Sequence, residues 1–235
     1  GYGMSVITAL TAQNGLGVTG IHAPDPDFVA LQLHTVLDGF SIAAAKTGML
    51  FSAPIIRAIA PILQQRSFPL VVDPVSVSQS GSNLLHEDAV SALINDIIPG
   101  CDLLTPNRPE AEMLTNTTID TFEDAATAGE KLLQMGARAV LIKGGHMESS
   151  VVVTDCLCIK DEAPKALPQA KVDTNNNHGT GCTLSAALAA LRPRHEGWAD
   201  TVCEAKTWLS AALAKADTLE VGHGIGPVHH FHAWW

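Results

Sequence analysis

Basic residues are scarce: 14 Lys and Arg stand against 24 Asp and Glu, a net charge of −10. That balance excludes a broad electrostatic surface for nucleic acid. Any polyanion site has to be local, built from backbone amides, a few lysines and a metal. No apolar run approaches the ~20 residues that a membrane-spanning helix needs, so no membrane partner is expected. Cysteine is sparse and odd in number, at 101, 156, 158, 182 and 203, which suits a reducing cytoplasm and argues against a disulfide scaffold. Cys156-Leu-Cys158 lies in an apolar alternating segment and reads as strand, not metal site. Repeats, low-complexity tracts and linkers are also missing, so residues 1–235 are expected to form one domain. No signal peptide is expected, and the sequence begins at Gly1 without a methionine. The chain opens directly in GYGMSVITALTAQN and reads as one whose beginning is missing.

What is present is a 46% hydrophobic chain in which short apolar runs alternate with helical stretches. Strands are predicted at Val6–Thr11, Ala43–Thr47, Leu70–Asp73, Leu103–Thr105, Val140–Lys143 and Val151–Ile159, with a hairpin partner for the last near Gln169–Val172. Helices are predicted at Asp27–Asp38, Pro54–Gln65, Asn83–Ile97, Glu110–Leu114, Phe122–Met135, Thr183–Leu191 and Ala199–Ala216. Asp27 is the expected N-cap of the first, and Gly136 the C-terminal stop of the fifth. Short strands followed by Gly, Pro or Asn suit strands buried on both faces. Repeated βα units imply an α/β fold whose sheet is mostly parallel, with helices on both faces. Ligands of such sheets bind beyond the carboxyl ends of the strands.

The most informative stretch is DTNNNHGTGCTLSAA, from Asp173 to Ala187. Its polar start runs through Gly179-Thr180-Gly181-Cys182 into a segment of high helix propensity. Glycines before a helix let the backbone approach a ligand, and the unpartnered first N–H groups attract anions such as phosphate. A cysteine in the first turn is placed where the thiolate is favoured. The same letters also suit a plain loop capping a buried helix, with Cys182 as a small hydrophobe.

Polar residues follow each predicted strand: Gln13-Asn14, Lys46-Thr47-Gly48-Met49, Asp73-Pro74-Val75, Thr105-Pro106-Asn107 with Glu110, and Lys143-Gly144-Gly145-His146. In a parallel sheet they converge on one rim with the GTGC loop. Lysines, carboxylates and an anion-binding helix start suit phosphoryl transfer, which needs positioning and charge neutralisation, usually with Mg²⁺. Each member also has a plainer reading. Asp73-Pro74 shapes a turn. Asn107 and Glu110 suit a helix start. Lys46 and Lys143 suit solvated strand ends, Met49 suits core, and Gln13 suits a surface turn.

The segments YGMSVITALTAQN, KTGML, VVDPV, TPNRPEAE, LIKGGH, HGTGCTLSAALAAL and GHGIGPVHHF together resemble the bacterial hydroxymethylpyrimidine/phosphomethylpyrimidine kinases. These have the ribokinase-like three-layer fold, and the likeness runs from Tyr2 to the C-terminus. HGTGCTLSAA is its most specific part. Most ribokinase-like enzymes carry an aspartate as base where this sequence has Cys182. The resemblance implies ATP-dependent phosphorylation of 4-amino-5-hydroxymethyl-2-methylpyrimidine, then of its monophosphate, in thiamine biosynthesis. By the same likeness Gly179, Thr180, Gly181 and Cys182 form the anion hole, and Cys182 also takes the place of the catalytic base. Asn107 and Lys143 lie near the nucleotide phosphates. Glu110 and Asp73 belong to the Mg²⁺ region. Gln13 reads the aminopyrimidine ring, and Met49 and Val75 wall its pocket. A cytoplasmic homodimer is implied.

The sequence departs from the family pattern in several places. The family's opening strand and its Gly-rich AGSDPSGGAG segment would precede Gly1, and with them part of the pyrimidine pocket. The resulting expectation is retained Mg-ATP affinity with weak pyrimidine binding. Ser76 and Gln79 replace residues of VMVAKSG, and Thr47 replaces an isoleucine. His229, His230 and His232 cluster near the end, where an ordinary surface terminus is expected. A pyridoxal kinase sharing the GTGC loop, or a ligand-binding remnant without turnover, are the competing readings.

Overall fold

The computed structural model describes residues 1–75, 87–144 and 151–234. The chain begins with a hairpin, β1 (Leu10–Asn14) and β2 (Gly17–His22), which forms a two-stranded sheet of its own. The six later strands make one sheet in sequence order: β3 (Ala45–Thr47), β4 (Leu70–Val72), β5 (Leu103–Leu104), β6 (Ala139–Ile142), β7 (Val152–Ile159) and β8 (Lys165–Ala170). The first four are parallel, with Val72 beside Leu104 and Leu104 beside Val140. The last two are antiparallel additions.

Parallel neighbours need crossovers, and helices supply them. α1 (Pro26–Gly39) precedes β3 and α2 (Ala53–Gln64) follows it. α3 (Glu87–Ala92) runs on into a π-helical turn, and α4 (Arg108–Thr115) and α5 (Phe122–Gln134) join β5 to β6. α6 (Thr180–Leu191) and α7 (Trp198–Ala214) close the chain.

Strand alternation divides the core between two faces. Val72 and Leu104 pack with Ile55, Ile56 and Leu63 of α2 and Leu132 of α5. Their sequence neighbours Val71 and Leu103 pack with Leu184 and Leu188 of α6 and Val202 and Leu209 of α7. Two apolar layers around one sheet make the three-layer architecture. Each fully buried aliphatic side chain stabilises it by about 1.5–3 kcal/mol. On α6, Leu184 and Leu188 face the sheet, so the outward positions Cys182, Ala186 and Ala190 are exposed. Among the described residues no helix is long and apolar enough to cross a membrane.

Several expectations need correction. Val6–Thr11 is not a strand inside the sheet: strand structure starts at Leu10, and β1 is exposed throughout. The reason is the turn that follows. Asn14-Gly15 favours a tight hairpin, and the Asn14 carboxamide oxygen accepts the Leu16 N–H at 2.9 Å. Asn14 then pairs with Gly17, so Gln13 faces a hairpin partner instead of ending a central strand. The first helix is capped by Asp25, not Asp27, its side chain accepting the Asp27 N–H at 3.3 Å. β8 begins at Lys165, four residues before the expected partner. Gly136 does stop α5, with φ +108°. Cys156 and Cys158 lie buried in β7 as strand residues. Gly145, His146, Ser76, Gln79 and the first residues of the Asn83–Ile97 helix lie outside the described residues.

Candidate active site

The parallel ladder continues past its strand ends. Asp73 N–H donates to the Thr47 carbonyl at 3.1 Å, Thr105 N–H to Val72 at 2.9 Å, and Lys143 N–H to Pro106 at 2.9 Å. Main-chain bonds therefore hold Asp73, Asn107 and Lys143 along one rim. Their side chains converge there. Lys143 Nζ lies 3.2 Å from Asp73 Oδ1 and 4.0 Å from Glu110 Oε2. Asp73 is only 2% exposed and Glu110 4%. Buried carboxylates of this kind need a cation or hydrogen bonds to remain charged. Lys143 serves both, and the Ser185 hydroxyl donates to Asp73 Oδ2 at 3.2 Å.

Asn107 and Glu110 are also a capping box. The Asn107 side chain accepts the Glu110 N–H at 2.8 Å, and Glu110 Oε2 accepts the Asn107 N–H at 2.8 Å. The helix-start reading of NRPE is thus correct. The same cap fixes the Glu110 carboxylate at the lysine, so the two readings describe one arrangement.

α6 begins at Thr180, with Gly179 as its N-cap in the left-handed region. Thr180 gives its N–H to the Asn177 carbonyl at 3.2 Å. The N–H groups of Gly179, Gly181 and Cys182 have no protein acceptor among the described residues. A Cβ on Gly181 would lie 3.5 Å from Lys143 Nζ and 3.8 Å from Asp73 Oδ2. The helix start and the charged cluster are therefore adjoining parts of one site. Cys182 sits in the first turn, exposed. It opens on a groove of about 610 Å³ that also touches Thr183, Trp208 and His230. The Ser185 hydroxyl donates to the Cys182 carbonyl at 3.1 Å.

The expected pyrimidine residues are more dispersed. Val75 is half-buried just beyond Asp73, its N–H bonded to the Asp73 carbonyl at 2.9 Å. Met49 is half-buried beyond β3, and its carbonyl accepts the Thr8 hydroxyl at 2.6 Å. Gln13 is exposed on the hairpin and makes no hydrogen bond to the charged cluster among the described residues. The C-terminal GHGIG segment ties the hairpin to the anion loop. Ile225 N–H donates to Gly15 O at 2.9 Å, Gly226 N–H to Asn176 Oδ1 at 3.0 Å, and His178 N–H to Gly226 O at 3.0 Å. Gly224, at φ +86°, passes so close that an added Cβ would lie 2.3 Å from Gly15 O. Only glycine fits there.

For Mg²⁺ the donor set is suitable. Asp73 and Glu110 offer two hard oxygen ligands, as the ion takes alongside nucleotide phosphates. The histidine-rich end is not the ordinary surface terminus expected: His229 is 3% exposed and its N–H donates to the Ala212 carbonyl at 3.3 Å. His230 bonds Thr183 Oγ1 at 2.9 Å.

The sequence singles out neither Ser185 nor Asn176, and it gives His230 only a place in a surface terminus. A lone serine in the Ala/Leu run of α6 was a signal for the first. The other two depend on contacts with distant segments.

Comparison with known proteins gives the family and the fold. A family model described as phosphomethylpyrimidine kinase matches residues 1–229. The hydroxymethylpyrimidine/phosphomethylpyrimidine kinase of Escherichia coli (strain K12) is 51% identical over 236 residues, covering 100% of this chain and 88% of the relative. The crystal structure of phosphomethylpyrimidine kinase from Clostridium difficile 630 matches with a TM-score of 0.76 at 35% identity, covering 90% of this chain and 87% of that one. An ADP complex of Bacillus subtilis pyridoxal kinase matches at 0.86 with 28% identity, covering 99% and 87%. The chain belongs to the phosphomethylpyrimidine kinase family, on a ribokinase-like fold.

Proposed function

We propose that this protein uses ATP to phosphorylate 4-amino-5-hydroxymethyl-2-methylpyrimidine and then its monophosphate, in thiamine biosynthesis. The observation that carries the reading is Cys182 at a helix start whose free N–H groups adjoin the Lys143–Asp73–Glu110 cluster. In the first step Cys182 acts as the base that takes the proton of the hydroxymethyl group. The freed oxygen attacks the γ-phosphorus as the bond to the ADP oxygen breaks. Lys143 and the N–H groups of Gly179, Gly181 and Cys182 carry the charge spread over the transferring group. Thr180 belongs to the same loop, its own N–H being occupied by Asn177. Asn107 supports the phosphate side by fixing Glu110. Asp73 and Glu110 would hold Mg²⁺, which when bound neutralises phosphate charge. Gln13 reads the aminopyrimidine by paired amide hydrogen bonds, and Met49 and Val75 wall the ring. In the second step the acceptor is already anionic, so charge neutralisation outweighs proton removal.

We read residues 1–235 as one kinase domain, since both apolar layers share one sheet. A cytoplasmic homodimer suits the free cysteines and the exposed Tyr2, Phe28, Leu31 and Phe40. The test is ADP release by the purified protein with Mg-ATP and either the pyrimidine alcohol or pyridoxal. The pyrimidine is expected to give the higher kcat/KM by at least about tenfold, the discrimination that one site-specific hydrogen bond provides. Preference for pyridoxal, or binding of Mg-ATP without turnover of either alcohol, contradicts the reading.

A further inference from the structure

Away from the rim, Asp155 of β7 and Lys206 of α7 form an ion pair inside the molecule. Lys206 Nζ lies 2.9 Å from Asp155 Oδ2, with the side chains 10% and 6% exposed. Lys206 Nζ also donates to the Leu167 carbonyl of β8 at 2.6 Å. A pair this deep loses much of its attraction to desolvation, and apolar residues of similar volume often stabilise a fold equally well. Fold stability is therefore a poor reason for its presence.

Its third partner supplies a better one. Asp155 Oδ1 accepts the N–H of Gly144 at 2.8 Å. Gly144 is buried and directly follows Lys143. Its backbone lies so tightly on β7 that a Cβ would sit 1.9 Å from the Thr154 carbonyl oxygen. The chain leaving Lys143 is thus pressed against β7 and pinned by one charged acceptor, which α7 in turn holds in place. On the other side, Lys143 N–H is fixed by Pro106 O. With both flanks anchored, the lysine side chain reaches Asp73 and the α6 start from a rigid base.

We propose that Asp155, oriented by Lys206, is a positioning residue that sets the Lys143–Gly144 backbone for nucleotide phosphate binding. It acts through Lys143 and rests on the reading of that lysine given above.

The test compares three variants of the full chain. D155L/K206M removes both charges and the acceptor, while D155N/K206M removes both charges but keeps a carbonyl oxygen for Gly144. K143M reports on the lysine itself. D155L/K206M is expected to unfold near the parental temperature and to raise KM for Mg-ATP about tenfold, the cost of one lost buried hydrogen bond, with KM for the pyrimidine unchanged. D155N/K206M is expected to restore the parental KM. A folded D155L/K206M with parental KM for Mg-ATP overturns the inference. So does a tenfold loss in D155N/K206M when hydrogen exchange shows the Gly144 amide still protected, a measurement that holds even if the leucine variant fails to fold. A parental KM for Mg-ATP in K143M would instead remove the reading of Lys143.

Discussion

The proposed phosphate side of the site rests on parallel strand ends and a helix start, whereas the proposed pyrimidine side leans on a hairpin exposed along its first strand. Asp73, Glu110 and Lys143 are each fixed by main-chain bonds and by one another. Gln13 hangs on a two-stranded sheet whose turn is held by the GHGIG segment. The contrast follows from the chemistry. Charge developing on a phosphoryl group is stabilised best by groups that need no rearrangement, so a rigid rim suits it. A small neutral ring must enter and leave, and an element with few buried contacts opens at low cost.

That comparison can be broken from either side. The largest effect is expected from Asp73→Asn. It keeps an oxygen for Ser185 but removes the charge beside Lys143. Turnover should fall ~10²-fold, with a higher half-saturating Mg²⁺ concentration, read by steady-state kinetics across a Mg²⁺ titration. An unchanged Mg²⁺ requirement would take Asp73 out of the metal region. Gly224→Ala comes next. Its left-handed backbone and its approach to Gly15 O force the hairpin away from the anion loop, at a cost of about 1–3 kcal/mol. KM for the pyrimidine should rise about tenfold while KM for Mg-ATP stays put; equal changes in both would mean that the two sides are not separable.

The smallest effect is expected at Glu112, outside the site. The Ile119 N–H, at 2.8 Å, holds its carboxyl below the usual range, with help from Arg108. A depressed folded-state pKa gives stability that is present above the unfolded value and lost as pH falls through the folded one. Glu112→Gln should therefore lower the unfolding midpoint at pH 7 by about 1–2 °C. The gap to the parent should close below about pH 4, with kinetics unchanged throughout. A gap that does not narrow as pH falls below about 4 would assign the effect to packing.

The rigid half was also the legible half. Leu70–Val72 and Ala139–Ile142 are short apolar runs ended by polar residues. The parallel-sheet rule then places Asp73 and Lys143 on one rim without any knowledge of side chains. The GTGC segment announced a helix start in the same local way. The hairpin is less legible because Val6–Thr11 is as apolar as a central strand, and only the Asn14-Gly15 pair beyond it signals a turn. Ser185 reaches Asp73 across 112 residues, and Lys206 reaches Asp155 from another element. No local pattern announces pairings that only the folded chain creates.

The claim that Cys182 is the base of a two-step kinase is tested most directly by comparing Cys182→Ala with the parent in each half-reaction separately. Single-turnover rates would be measured first with the pyrimidine alcohol and then with its monophosphate. Loss of a general base commonly costs ~10²–10⁴-fold, and only the alcohol has a proton to lose before attack. The expected result is a loss of that size in the first phosphorylation and a small one in the second. Equal losses in both steps would contradict the account and leave Cys182 as a shaper of the anion loop.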